Sequence, residues 1–132
     1  MLVLLNGALL LLIAAAIVAE QVLDRNTARV EAAVRGYAAA VTDEDLDAAL
    51  AELAPEARAG WAEWVGGQLG NIYEVRTVSV RATRFLGRPI EATAVMEVNR
   101  GYPDEHYQAN ARVAVVEEGG RWYLQEPLLA AP

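Results

Sequence analysis

The chain contains no cysteine, no lysine and only one histidine, His106. Without cysteine there can be no disulfide bond, no thiolate metal site and no nucleophilic cysteine. A single histidine among scattered carboxylates gives no metal-ligand spacing, so we expect neither a metal nor another cofactor. The only serine, Ser79, has no histidine suggested beside it, so the sequence indicates no hydrolytic triad.

Positive charge is also scarce. Eleven basic residues, all arginine, stand against eighteen acidic residues, for a net charge of −7 and a pI of about 4.7. We expect no nucleic-acid partner, because binding to phosphates requires a basic surface. An anionic lipid surface would repel this chain as well, so membrane attachment has to come from apolar sequence.

The chain does have an uncharged apolar run at residues 1–19. A helix of that length spans about 28 Å, close to the thickness of the bilayer's hydrocarbon core. We therefore predict a transmembrane anchor at 1–19 and a polar junction at 20–28. Asn6 and Gly7 are candidate contacts with a neighbouring membrane helix. A cleaved signal peptide and a buried helix of a soluble domain are the alternatives.

Two criteria give different predictions for the side of the membrane on which the domain lies. Arg25, Arg29 and Arg35 follow the apolar run, and a literal count under the positive-inside rule places the domain in the cytoplasm. Small single-anchor proteins with this layout often face outward. On that ground we expect a single-pass membrane protein with an extracytoplasmic domain.

Residues 29–132 are predicted to form one domain that begins with three helices. Val30, Val34, Tyr37 and Val41 recur at helical spacing. Residues 42–45 are typical of a capped helix start. Pro55 predicts the end of the second helix and the start of the third, and Gly70 is a suitable stop for the third.

After residue 70 the apolar period changes from 3.6 to 2, which predicts four strands. Turns are expected at 87–89, 101–104 and 118–120, and a slip in phase near Arg76 and Thr77 indicates a β-bulge. Helices followed by consecutive strands favour an α+β fold. We expect the three helices to lie across one face of a curved four-stranded antiparallel sheet.

Three passages together resemble a known superfamily. They are VEAAVRGYAAAVTDEDLDAALAEL, PEARAGWAEWVGGQLG and ARVAVVEEGGRWYLQE, within about residues 28–126. This pattern resembles the nuclear transport factor 2-like superfamily, also called SnoaL-like or cystatin-like. The resemblance implies a cone-shaped domain in which the sheet wraps around a pocket closed by helices.

The superfamily includes isomerases and cyclases of small hydrophobic molecules, and also non-catalytic domains for dimerisation or protein contacts. A single N-terminal membrane helix on such a domain is similar to the layout of Mce-associated membrane proteins. It is also similar to inner-membrane assembly proteins of type IV secretion. Those proteins are scaffold or assembly factors, and fold does not decide among these roles.

A pocket of this kind would be lined by large side chains from the helices and strands. The candidates for its lining are Tyr37, Trp64, Tyr73 and Met96. Glu91 and Glu97 alternate with the small apolar residues of their strand, so we expect both to face away from the helices. His106 could act as a general base with Asp104 or Glu105, but we expect it in a solvated turn.

No catalytic, cofactor-binding or metal-binding residue is therefore assigned, and an enzymatic role is the less favoured hypothesis. The outward face of the sheet mixes apolar and charged side chains. Its predicted members are Thr93, Val95, Glu97, Arg112, Ala114 and Val116. We expect a membrane-anchored accessory or assembly subunit that contacts other membrane-protein subunits, or a second copy, through the sheet. The alternative is a domain that binds or isomerises a small hydrophobic molecule.

Overall fold

The computed structural model describes residues 27–81, 90–101 and 104–130. The helical elements are α1 at 27–42, α2 at Leu46–Ala51, a 3₁₀ turn at Pro55–Ala57 and α3 at Arg58–Gln68. The strands are β1 at Ile72–Arg81, β2 at Ile90–Gly101, β3 at Asp104–Glu118 and β4 at Arg121–Leu124.

The predicted anchor at 1–19 and most of the junction at 20–28 lie outside the described residues. The same holds for Asn6, Gly7 and the predicted turn at 87–89. Across the described ranges, no helix combines the length and apolar character needed to cross a bilayer.

Helix α1 forms because its apolar residues recur every three or four positions and share one face. Val30, Val34, Tyr37 and Val41 have no exposed surface. The predicted cap at 42–45 is confirmed, and the capping residue is Asp45, whose carboxylate accepts the Ala48 N–H at 3.1 Å.

Thr42 has a different role from a cap. Its hydroxyl donates to the Ala38 carbonyl oxygen at 3.0 Å and accepts the Tyr73 N–H at 3.0 Å, which joins the end of α1 to β1. The predicted role of Pro55 is corrected in two respects. Helix α2 ends earlier, at Ala51, and Pro55 begins a 3₁₀ turn that leads into α3 at Arg58. Gly70 has a φ of 91°, as expected for the residue after a helix end.

The four strands form one antiparallel sheet in the order β1-β2-β3-β4. The prediction of helices followed by a four-stranded antiparallel sheet is therefore confirmed. The predicted bulge is present, with a register shift between Val75 and Thr77. Gly119 and Gly120, with φ of 59° and 82°, turn the β3–β4 hairpin, since both positions need the left-handed region.

The core lies between the helices and one face of the sheet. On β2 this inner face carries small residues, Ala92 and Ala94, followed by Met96 and Val98, and all four are fully buried. The segment after α2 lies along the outer edge of β4, where Leu53 forms a parallel bridge with Leu124. The apolar tail also packs inward, with Leu128 fully buried.

Candidate functional site

The outer face of the sheet is a candidate surface in the described residues. Every side chain that it carries is half-buried or exposed. The register places Thr93, Val95 and Glu97 of β2 beside Arg112 and Asn110 of β3 on this face, as the alternation predicts. The inner face is covered by helices, so the two faces of the same strands meet different environments.

Ion pairs link neighbouring strands across this face. Arg112 Nη2 lies 3.0 Å from Glu91 Oε2, and Arg76 Nη2 lies 3.1 Å from Glu97 Oε1. His106 Nε2 lies 3.4 Å from Glu97 Oε2, so Glu97 contacts residues of both flanking strands. Exposed pairs of this kind contribute about 0–1 kcal/mol each, and here they set the pattern of charge more than the stability.

His106 lies on β3 and not in a turn, because β3 begins at Asp104. Its side chain is 65% exposed, and the carboxylate that it contacts is that of Glu97 and neither Asp104 nor Glu105. The register explains this contact, since Asn99 opposes His106 and Glu97 is the diagonal neighbour on the same face. The sequence placed Glu97 on this face but did not predict its contact with His106, because that contact depends on how the strands pair.

The predicted pocket-lining residues belong to one cluster. Tyr37 and Met96 are fully buried, Tyr73 is 5% exposed, and Trp64 packs against them from α3. Leu50 is another partly buried neighbour of this cluster. The structure thus brings the four side chains together as core, and their role as the lining of a ligand pocket stays a prediction.

Two buried polar atoms of this cluster, the Tyr37 hydroxyl and Trp122 Nε1, make no hydrogen bond within the described residues. Burial raises the pKa of Tyr37 well above its ordinary value, with a further contribution from Tyr73, so the phenol is neutral at physiological pH. Burial likewise raises the pKa of Tyr73, but that hydroxyl has Gln68 Oε1 at 3.4 Å.

The two tryptophans of α3 are in contact with each other. Their ring centroids are 5.9 Å apart with an interplanar angle of 86°, an edge-to-face arrangement. Trp61 and Trp64 are both partly buried against the core. Their observed role is therefore to pack against the core.

A groove of about 290 Å³ was not anticipated from the sequence. It lies between α1, the segment after α2 and the β3–β4 hairpin, and Arg29, Glu52, Arg121 and Trp122 are among its lining residues. Arg121 Nη2 is 3.5 Å from Glu52 Oε1. Burial raises the pKa of Glu52, and Arg121 offsets part of that effect.

Glu52 takes this position because the opposite helix has no side chain there. A Cβ atom at Gly36 would lie 2.9 Å from Glu52 Oε1. Glu52 follows α2 and reads in the sequence as an exposed helix end, so no local signal predicts its partial burial. The contact depends on how α1 crosses the sheet.

The described residues contain no group of three or more histidine or acidic residues placed to hold a metal ion. No protein-family model matches the chain, and no curated protein matches it. The resemblance to the nuclear transport factor 2-like superfamily therefore stays a prediction.

Proposed function

We propose that this protein is a membrane-tethered, non-catalytic accessory subunit whose domain acts through protein contacts. The observation that carries the proposal is the outer face of the sheet. It is an accessible surface with Val95 and Thr93 near its middle and ion-paired side chains around them. Val95 lies between Thr77 and Asn110, so the face is mostly polar. Such a face suits a non-obligate protein interface, which is about as polar as the rest of a protein surface.

The apolar run at 1–19 supplies the tether in this proposal. An acidic chain with a net charge of −7 is repelled by anionic lipid, so attraction to headgroups would not hold the domain at a membrane. A tether also raises the local concentration of membrane-bound partners, which allows a modest interface to be occupied.

The test of the tether uses the full chain expressed in cells. We expect it in the membrane fraction after an alkaline carbonate wash, with release only by detergent. Release of the intact chain without detergent, with residues 1–19 still present by mass spectrometry, would contradict the tether.

The outer face is tested by cross-linking the proteins of whole membranes and measuring the size of the products. The reagent must not depend on amines, because the chain contains no lysine. Val95→Arg should reduce the larger cross-linked species at least severalfold, since it places a charge at the centre of the face. Ala59→Arg, at an exposed position of α3, is the matched control. Equal cross-linking in both variants, with equal thermal stability, would show that the outer face contacts no partner.

A second candidate function is supported by the unpartnered Tyr37 hydroxyl. A neutral phenol inside an apolar cluster can donate to the carbonyl oxygen of a small hydrophobic molecule. The test is the thermal stability of the full chain in detergent with acetophenone as probe. Stabilisation that Tyr37→Phe abolishes would favour this function, and no shift at millimolar probe would count against it.

A further inference from the structure

Strand β3 is much longer than the strand beside it. It runs from Asp104 to Glu118, whereas β4 pairs only with Val115 to Glu118. One more bond follows, from the Gln125 N–H to the Ala114 carbonyl oxygen at 2.9 Å. Within the described ranges, residues 104–113 therefore have a paired strand on the β2 side only.

Alternate residues of β3 direct their backbone N–H and C=O groups to opposite sides of the strand. The β3–β4 hairpin shows which of them point toward the free edge. Residues that flank a two-residue turn form a hydrogen-bonded pair, so Glu118 directs its N–H and C=O toward Arg121. Ala114 directs its backbone groups to the same side as Glu118, as its bond to Gln125 shows. The outward groups at the free end are then those of Asp104, His106, Gln108, Asn110 and Arg112. All five residues are exposed.

The other edge of the sheet is protected by contacts that this edge lacks within the described residues. On β1, Arg35 donates to the Val75 and Arg76 carbonyl oxygens at 2.8 and 3.2 Å, and the bulge at Val75/Thr77 interrupts the strand. Such devices prevent unwanted pairing at sheet edges. Residues 104–113 contain no proline and no register shift, and no described group bonds to their outward backbone atoms.

A second copy of this chain fits the free edge in one register. Antiparallel pairing about a two-fold axis at Gln108 places each of the five outward residues opposite another outward residue. A shift that places residue 104 against Ala114 meets the position already occupied by Gln125. A shift in the other direction places Arg112 opposite residue 102, outside the described residues, so it pairs fewer of the described outward residues.

This register is also complementary in charge. It sets Asp104 of each copy opposite Arg112 of the other, and His106 opposite Asn110. Opposite charges on directly facing residues of an antiparallel pair stabilise it. On the inner face the same register sets Tyr107 opposite Ala109, so a large ring faces a small side chain.

We propose that two copies of this protein pair through residues 104–112 of β3, antiparallel and centred on Gln108, into one continuous eight-stranded sheet. This inference rests on the proposed function and adds a second copy as a partner at the edge of the sheet, beside whatever the outer face contacts. The paired sheets join the two outer faces into one surface, with the ion pairs of Glu91 and Glu97 on both sides of the axis.

The absence of native cysteine makes the pairing directly measurable. In hydrogen-bonded antiparallel pairs the Cα atoms are about 5.5 Å apart, within the range that a disulfide spans. Gln108→Cys in the full chain, oxidised in its native membranes, should give a disulfide-linked dimer as the main species. Ser79→Cys, an exposed position on β1, is the control and should remain monomeric.

Each other outcome overturns the edge pairing. Cross-linking of Gln108→Cys at the level of Ser79→Cys means that the edges do not meet. Cross-linking of Thr93→Cys in its place means that the copies meet face to face. In both cases the membrane fractionation and the Val95→Arg comparison still decide the proposed function separately.

A charge exchange tests the register. Asp104→Arg and Arg112→Asp should each lower the dimer association constant about fivefold to tenfold, and the double variant should restore most of it. Glu91→Gln is the control, because it removes the intramolecular partner of Arg112 without changing the edge. A double variant as weak as the single variants contradicts the register.

Discussion

The two faces of strand β2 are built from alternate residues of one segment and lie in different environments. The inner residues are fully buried, and they are Ala92, Ala94, Met96 and Val98. The outer residues are half-buried, and they are Glu91, Thr93, Val95 and Glu97. Because successive side chains of a strand point to opposite faces, a single strand supplies both the core and the candidate interaction surface.

The comparison shows where substitution is expected to affect folding and where it is expected to affect contacts. Inner side chains contribute by removing apolar surface from water and by filling space. Outer side chains remain in contact with water, so their interactions with each other are weak in the free protein. The surface is therefore free to specify partners at small cost in stability.

The largest effect is expected for a truncation on the inner face. Met96→Ala should lower the free energy of unfolding by about 2–5 kcal/mol, since it removes buried atoms and leaves a cavity. Val95→Ala, one residue away on the outer face, should cost less than about 1 kcal/mol. Urea unfolding of the full chain in detergent measures both, and equal losses would contradict the division between the faces.

A smaller effect of opposite sign is expected at Tyr37. Removing its unpartnered buried hydroxyl should raise the free energy of unfolding by about 1 kcal/mol, because a buried donor without a partner is costly. Tyr73→Phe is the matched change, and it should not stabilise, since that hydroxyl has Gln68 within 3.4 Å. Thermal unfolding of Tyr37→Phe and Tyr73→Phe tests this contrast.

The outer-face ion pair should contribute least among the contacts compared. A double-mutant cycle with Glu91→Ala and Arg112→Ala should give a coupling of about 0.2–1 kcal/mol, reduced at high salt. Coupling that is larger and insensitive to salt would mean that the face is covered in the folded protein. That result would place a partner or a second copy over the pair.

A charge on the helix side of the sheet should respond to pH. The folded state raises the pKa of Glu52 above its ordinary value of 4.5, so the folded protein binds this proton more tightly than the unfolded chain. The contribution of Glu52 is then complete below pH 4.5 and is lost as the pH rises through the folded pKa. Glu52→Gln should remove that part of the pH dependence, as unfolding across this range would show.

Much of the fold follows from local sequence. The change of apolar period after Gly70, the glycine pair at 119–120 and the phase slip at 76–77 each correspond to a feature of the structure. These features are set by backbone sterics and by the spacing of apolar residues over a few positions. Local patterns therefore suffice to predict them.

The candidate site was predictable only in part. Alternation along β2 placed Glu91 and Glu97 on the face away from the helices, as observed. The contact between His106 and Glu97, and the desolvation of Glu52 beside Gly36, join residues that are distant in sequence. Neither could be predicted, since each depends on strand register or on where a helix crosses the sheet.

The sequence by itself determined the order of elements, the face of each strand that is buried and the net negative charge. The tertiary structure decided which side chains meet and which edge of the sheet Arg35 blocks. It also decided that, among the described residues, residues 104–113 of β3 are paired on one side only. The physical reason is the distance along the sequence over which each effect acts. Propensity and periodicity act between near neighbours, whereas edges, grooves and unpartnered atoms arise only when separate elements pack together.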